Sequence, residues 1–188
     1  MVRIYVGPEN QEFMVHRNLI RSQSKGLEEK FDTEGSMSMS EMNAEAFSLF
    51  NRWMYSGSIF PTGKTAIGKD SFDLLNLWLF AADFKLPKLQ NMVLTDIHAI
   101  MVASEDPEST GLSVILIIMD TTTRNDNLRK YTIDWYTWRV KTPLDGIYDL
   151  IFDNGRLGFD LYQALKRRYT GPQEDPTLNI RNYFVEET

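Results

Sequence analysis

The two histidines, His16 and His98, are the side chains best suited to metal binding or acid–base chemistry. They fall on different predicted elements, because His16 follows a strand and His98 lies on an amphipathic helix. Transition-metal sites usually need several nitrogen or sulfur ligands, and this chain contains no cysteine. We therefore expect two structural histidines and no metal site.

Other short patterns do not complete a chemical site. Gly63-Lys64-Thr65 is similar to the end of a phosphate-binding loop, but that pattern needs a glycine at position 58, where Ser58 stands. No Gly-x-Ser-x-Gly sequence is present, so a serine nucleophile of that type has no support. Lys166-Arg167-Arg168 is typical of a helix C-terminus, where basic side chains complement the helix dipole. The sequence predicts no catalytic residue and no cofactor.

Composition narrows the class of protein. The chain has 188 residues, of which 43% are hydrophobic and 24% charged, as in a soluble domain with room for a helical extension. A net charge of −6 disfavours direct nucleic-acid binding. The apolar run Val114 to Met119 is too short to span a bilayer, and the first residues lack a signal-peptide pattern. We expect a cytoplasmic or nuclear protein without a membrane partner.

Periodicity in the first half of the chain predicts a small sheet and several helices. Two alternating runs, Val2 to Val6 and Phe13 to His16, flank a Gly-Pro turn and predict a hairpin. A helix broken near Gly26 follows, and Ser36 to Ser40 alternates as a short strand. Three helices complete this half: one capped by Asn43, a nearly all-apolar one capped by Asp70, and one that begins at Pro87.

The second half of the chain is predicted to be helical. Helices are expected over Leu112 to Met119, around the stripe that contains Trp135 and Trp138, over Gly146 to Phe152 and over Leu157 to Tyr169. The tryptophan stripe could form a stacking surface, but helical spacing favours a core. The predicted organisation is a domain over 1–103, a helical extension over 104–170 and a loosely packed tail over 171–188.

Three groups of residues, in order, resemble a BTB/POZ domain. Phe13-x-x-His16 leads into a helix that contains Leu19, as at the start of that family's domain. Ala46-Phe47 with Trp53 to Gly57 is similar to a helix ending of the family, and Leu79 to Asn91, with Ala82, Asp83 and Pro87, is similar to its helix–proline–helix sequence. The stretch Tyr131 to Trp138 and the short acidic tail resemble the fungal type of such proteins.

The resemblance implies an α+β fold in which a helical cluster is capped by a small three-stranded sheet and followed by a helical extension. It implies that Phe13 lies on the core face of a strand, with Leu19 packed below it. It also implies that His16 forms a hydrogen bond at the strand–helix junction. Tyr55 and Gly57 would end a helix, and Pro87 would set the angle between two core helices. None of these residues is implied to be catalytic.

The resemblance also implies a protein-interaction role, since many BTB/POZ domains form homodimers and some bind cullins or corepressors. Swapped dimers of the family use elements before the first hairpin, and Met1 stands directly at the strand, so a homodimer would use another face. Cullin adaptors carry an apolar-x-Glu sequence, whereas the glutamate of Phe31-Asp32-Thr33-Glu34 lies one place too far along. A cullin ubiquitin-ligase adaptor and a transcription-associated scaffold are the alternatives to a general interaction module.

The strand Ser36 to Ser40 is the surface most suited to an unknown protein partner. An exposed strand edge can accept a partner strand, and Met37 and Met39 would offer adaptable apolar contacts. The same methionines could instead pack inside the domain, and the sequence favours that interpretation. A small enzyme with an acidic pocket is the remaining alternative, and no residue pattern supports it.

Overall fold

The chain folds as an α+β protein with a small mixed sheet, as predicted. It is described by a computed structural model that covers residues 1–23, 25–31, 36–61, 71–106, 114–115, 117–118, 121, 126–139, 155–171 and 174–187. Two compact units are present, one of Met1–Ile97 with Val185–Thr188 and the other of His98–Phe184. The division lies at Ile97, six residues before the boundary expected after residue 103.

The sheet of the first unit has three strands in the order β2-β1-β3. Strands β1 (Val2–Val6) and β2 (Gln11–Val15) form the expected antiparallel hairpin. Strand β3 (Ser36–Met39) pairs with β1 in parallel and occupies one edge of the sheet. Val2, Ile4 and Val6 are buried, so alternate residues of β1 face the core.

Among the described residues, five helices belong wholly or in part to the first unit. The predicted broken helix is two short helices, of which the first ends at Gln23 and the second begins at Lys25, so Gly26 lies inside the second helix. The helices are α1 (Arg17–Gln23), α2 (Lys25–Phe31), α3 (Ala44–Ser56), α4 (Ser71–Asp83) and α5 (Pro87–Ala103). Leu75 and Trp78 of α4 are almost completely buried, which confirms α4 as a central helix of this unit.

Local signals set the ends of these helices. The Asn43 side chain accepts a hydrogen bond from the Ala46 N–H at 2.9 Å, which caps α3 as predicted. Gly57 ends α3 in a left-handed conformation with φ of 71°, and its N–H donates to the Trp53 carbonyl at 2.8 Å. Pro87 begins α5, where its missing N–H leaves no bond unmade. Asp70, the cap expected for α4, lies outside the described residues.

The end of the chain returns to the first unit through the side chain of Asn91. Its amide nitrogen donates to the Val185 carbonyl at 2.9 Å, and its amide oxygen accepts from the Val185 N–H at 2.7 Å. The same amide nitrogen lies 3.3 Å from a carboxylate oxygen of Glu187. One buried side chain thus satisfies both backbone groups of Val185, as a neighbouring strand would.

The second unit contains two helices with defined bounds, α6 (Asn127–Arg139) and α7 (Gly155–Thr170), and two short 3-10 helices over Pro176–Leu178 and Ile180–Tyr183. Helix α7 matches the helix expected over Leu157 to Tyr169. The described residues between 114 and 118 are helical, whereas the helix expected over Gly146 to Phe152 lies outside the described residues. In the described ranges, no helix is long and apolar enough to cross a membrane.

The prediction of a loosely packed tail over 171–188 is wrong for the described residues. Thr177 is completely buried and Tyr183 is 2% exposed. Asp175 caps the first 3-10 helix by accepting from the Thr177 N–H at 2.9 Å, and Asn179 caps the second by accepting from the Arg181 N–H at 3.2 Å. The tail was predicted to be loosely packed because its sequence has no regular apolar spacing. Its caps and its few buried side chains hold it in place instead.

Replacement of Gly57 by alanine should destabilise the protein by about 1 kcal/mol, because an L-residue is strained at a φ of 71°. Among the described residues other than its chain neighbours, no atom lies within 4 Å of the position that the alanine Cβ would take, so backbone strain is the expected cost. Urea unfolding followed by circular dichroism would measure the change. Gly155→Ala is the matched control, since Gly155 also has open space and no positive φ, and it should not lose stability. Equal midpoints for the two variants would contradict this account.

Candidate functional site

A groove of about 400 Å³ opens beside strand β3 in the first unit. Strand register explains its lining, because Met37 pairs with Ile4 and Met39 pairs with Val6. Paired residues of neighbouring strands share a face, so both methionines lie on the core face of the sheet. They are only half-buried, since β3 is an edge strand. The lining consists of residues 37–42 with Asn76, Leu79, Phe80, Asp83 and Phe84.

The groove combines an apolar floor with a polar rim. Phe80 and Phe84 of the floor are 6% and 8% exposed, and their ring centroids lie 4.7 Å apart. Leu79 is half-buried, and Asp83 is exposed at the rim. Met37 and Met39 therefore pack against the domain and also border a surface that a partner can reach, so the two interpretations of these methionines do not exclude each other.

The edge of β3 carries the backbone groups that a partner strand would need. The Met39 carbonyl accepts from the Gly7 N–H at 3.0 Å, which shows that Met39 directs its backbone toward β1. Backbone groups alternate in direction along a strand, so those of Ser38 point to the side opposite β1. The serine side chains at 36 and 38 are exposed.

The two residues expected to mark a cullin-binding loop fall at the limit of the described part of the chain. Phe31 is the last residue of α2, and Glu34 lies outside the described residues. The cullin-adaptor alternative therefore stays a prediction.

His16 and Tyr55 join the start of α1 to the end of α3. The His16 Nδ1 atom lies 2.7 Å from the Tyr55 hydroxyl, and the His16 backbone N–H donates to that hydroxyl at 3.1 Å. Phe13 is half-buried, and its ring meets the Phe47 ring edge-on with centroids 4.8 Å apart. These are contacts of a structural junction. Leu19 and Ala82 are also half-buried.

His98 makes a similar pair in the second unit. Its Nδ1 atom lies 2.7 Å from the Tyr131 hydroxyl. Burial lowers the pKa of His98 and raises that of Tyr131. Both side chains are therefore neutral near pH 7, and the imidazole can accept a hydrogen bond from the phenol hydroxyl. Over the part of the chain that is described, no three His, Asp or Glu side chains cluster as metal ligands would.

The second unit contains buried charges that sequence reasoning missed. Arg129 is 1% exposed and donates through Nε and Nη2 to one Asp160 oxygen, at 3.0 and 2.6 Å. Asp134 is 4% exposed, and its carboxylate accepts from Arg167 at 2.6 Å and from the Tyr183 hydroxyl at 3.0 Å. A buried charge needs such partners to offset the loss of hydration.

Tyr183 acts as a hydrogen-bond donor in this cluster. Burial and the neighbouring Asp134 carboxylate raise the pKa of Tyr183 well above its ordinary value, so the phenol keeps its proton. The Asp134 carboxylate is held by two donors, one on α7 and one on the second 3-10 helix. The arrangement cross-links three elements of the second unit and leaves neither Asp134 nor Tyr183 suited to act as a general base.

The tryptophans of α6 and the arginines in the last turn of α7 serve the packing of this unit. Trp135 is 1% exposed, which confirms a core role for that part of the tryptophan stripe. The Arg168 guanidinium lies 5.3 Å from the centre of the Trp138 ring and donates to the Thr137 carbonyl at 2.6 Å. Arg167 and Arg168 are thus bound to α6, in addition to lying in the last turn of α7 where a basic end was expected.

Tyr183→Phe should lower the free energy of unfolding by about 1.5–3 kcal/mol, because it removes a buried hydrogen bond to a charged group. Tyr162→Phe is the matched control, since Tyr162 is 59% exposed and its change should stay within about 0.5 kcal/mol. Urea titrations at pH 7 would measure both. Equal stabilities would show that the Asp134–Tyr183 bond contributes nothing.

Asp126 should make stability pH-dependent. Burial raises its pKa from 3.8 to about 6, although it accepts from the Leu128 N–H at 2.8 Å as the cap of α6. Because the folded-state pKa is the higher one, the contribution to stability is complete below pH about 4 and is lost as pH rises through about 6.

Asp126→Asn keeps the capping oxygen and removes this titration. The variant should be more stable than the parent by about 1 kcal/mol at pH 7.5, after allowance for solvent screening, and no more stable at pH about 3.5. Urea midpoints at the two pH values would measure this difference. A constant difference between the two proteins at both pH values would contradict the assignment.

A search of protein-family models finds no model that matches the chain, and a search of curated proteins finds no match.

Proposed function

We propose that the chain is a non-enzymatic protein-interaction module of the BTB/POZ type, with a second, mainly helical unit. The order of elements from β1 to α5 is the one expected from the resemblance: hairpin, broken helix, short strand, then three helices. The proposal is also supported by two helix ends, since Gly57 ends α3 and Pro87 begins α5. The proposal carries the expectation of a cytoplasmic or nuclear location.

The observation that carries the proposal is the edge strand β3 with its adjoining groove. Edge strands offer unpaired backbone groups, and proteins use them for partner strands that place alternate side chains in neighbouring pockets. An extended segment added beside β3 would pair with Ser38 and direct apolar side chains toward Met37, Met39 and Leu79. Methionine side chains adapt readily to different apolar groups, which suits a partner surface.

Self-association is the first form of this function to test, because a second β3 strand is itself an extended partner. A cullin adaptor and a transcription-associated scaffold are narrower forms that the resemblance implies, and the β3 edge does not distinguish between them.

Met39→Lys should abolish binding at the groove, since a charge at a half-buried position opposes the docking of an apolar side chain. Met14→Lys is the matched control, because Met14 lies on β2 and is 53% exposed. Sedimentation equilibrium from about 1 to 200 µM, with hydrogen exchange of residues 36–40, would measure self-association and its location. We expect concentration-dependent protection of β3 that Met39→Lys removes and Met14→Lys keeps.

For a partner other than a second copy, the same exchange measurement applies to a complex purified by affinity capture. Protection should again centre on residues 36–40 and depend on Met39. A protein that stays monomeric, and whose captured partners protect other residues and bind Met39→Lys equally well, would contradict the proposal.

A further inference from the structure

Helix α7 carries a stripe of large apolar side chains that are exposed. Phe159, Tyr162, Leu165 and Tyr169 are 45%, 59%, 40% and 77% exposed. Their spacing of three, three and four residues places them on one face of the helix. Large apolar side chains gathered on one exposed face are unusual in a soluble protein and typically mark a binding surface.

The buried side chains of α7 lie on a different part of its surface. They are Leu157, Leu161 and Ala164. The bonds from Arg167 to Asp134 and from Arg168 to the Thr137 carbonyl hold α7 against α6. The stripe is therefore presented on a fixed helix, and its exposure does not arise from a frayed end.

Positive charge borders the stripe. Arg156 lies three residues before Phe159, and Lys166 lies three residues before Tyr169, so both cations lie along one edge, and both are exposed. Helix α7 has four basic side chains and one acidic side chain, in a chain whose net charge is −6. The single acid, Asp160, is bound to Arg129. The stripe thus combines aromatic surface with locally concentrated positive charge.

We infer that this stripe binds a helix of another protein whose apolar face is edged by carboxylates. Apolar residues three and four apart match the ridge spacing of a partner helix, and carboxylates beside that face would pair with Arg156 and Lys166. A second α7 fits less well, because it carries the same cations. Nucleic acid fits less well too, since the rest of the chain is acidic and repels phosphates.

The probe is a synthetic helix of about 16 residues with leucines on one face and glutamates along both edges, compared with the same peptide carrying lysines in place of glutamates. One helix face covers less than the roughly 800 Å² per partner of a stable interface, so we expect a Kd of about 10–100 µM for the acidic peptide by fluorescence anisotropy. Tyr162→Ser should weaken binding about tenfold, and Lys166→Glu should transfer the preference to the lysine peptide.

Phe72→Ser is the matched control, because Phe72 is 45% exposed on α4, as Phe159 is on α7, and it should leave peptide binding unchanged. Met39→Lys should also leave it unchanged, which separates this inference from the proposed function of the β3 groove. Circular dichroism would check that Tyr162→Ser stays folded, and Lys166→Glu tests the same surface without removing an apolar side chain.

Three results would overturn the inference. Equal binding of the acidic and basic peptides, or none at about 1 mM, would remove the charge argument. A dimer of the chain that Tyr162→Ser dissociates would assign the stripe to a second copy. Tighter binding of a single-stranded oligonucleotide than of the acidic peptide, lost in Lys166→Glu, would assign it to nucleic acid.

Discussion

Burial of alternate residues of β1 is the constraint on which the rest of the first unit depends. Val2, Ile4 and Val6 must face the core, and the parallel register then places Met37 and Met39 on the same face. A shift of β3 by one residue would turn Ser38 inward and both methionines outward. The groove beside β3 therefore follows from the pairing of the central strand, and Phe80 of α4 and Phe84 just after it supply its aromatic floor.

The second unit is stabilised differently, because its central helix buries charged and polar side chains. Helix α6 buries Arg129 and Asp134 together with Tyr131 and Trp135. Each buried charge is offset by a partner on α7 or, for Asp134, also on the second 3-10 helix. Since these partners must be in place for α6 to pack, a polar helix specifies its neighbours more narrowly than an apolar one would. Helix α7 is thereby fixed in an orientation that leaves its aromatic stripe toward solvent.

The parts of the fold that were predictable from sequence are those encoded within a few residues. Alternation in β1, the cap at Asn43, the stop at Gly57 and the start at Pro87 each depend on neighbours along the chain. The buried charges were not predictable, because Arg129 and Asp134 find partners 31 and 33 residues away. Charged side chains without known partners are normally taken to be solvated.

The candidate surfaces likewise depend in part on neighbours along the chain, which the sequence reveals, and in part on contacts between distant residues, which it does not. The face of Met37 and Met39 followed from their alternation, whereas their half-burial depends on the position of β3 at the sheet edge. The tail was misjudged because Thr177 and Tyr183 are buried by contacts with elements distant in sequence. The stripe of α7 was missed because the spacing over Leu157 to Tyr169 predicted a helix without indicating which of its apolar side chains are buried, and only the packed structure shows this.

The bond between Asn91 and Val185 makes the second unit an insertion within the first. The chain leaves the first unit after Ile97 and re-enters it at Val185, so the intervening stretch is a loop tethered at both ends. The entropy of closing such a loop grows slowly with its length, which lets a whole folding unit occupy it at small cost. A gene fragment that stops after α5 would leave out the closing segment and expose the Asn91 amide, so the choice of expression boundaries matters for any work on the first unit alone.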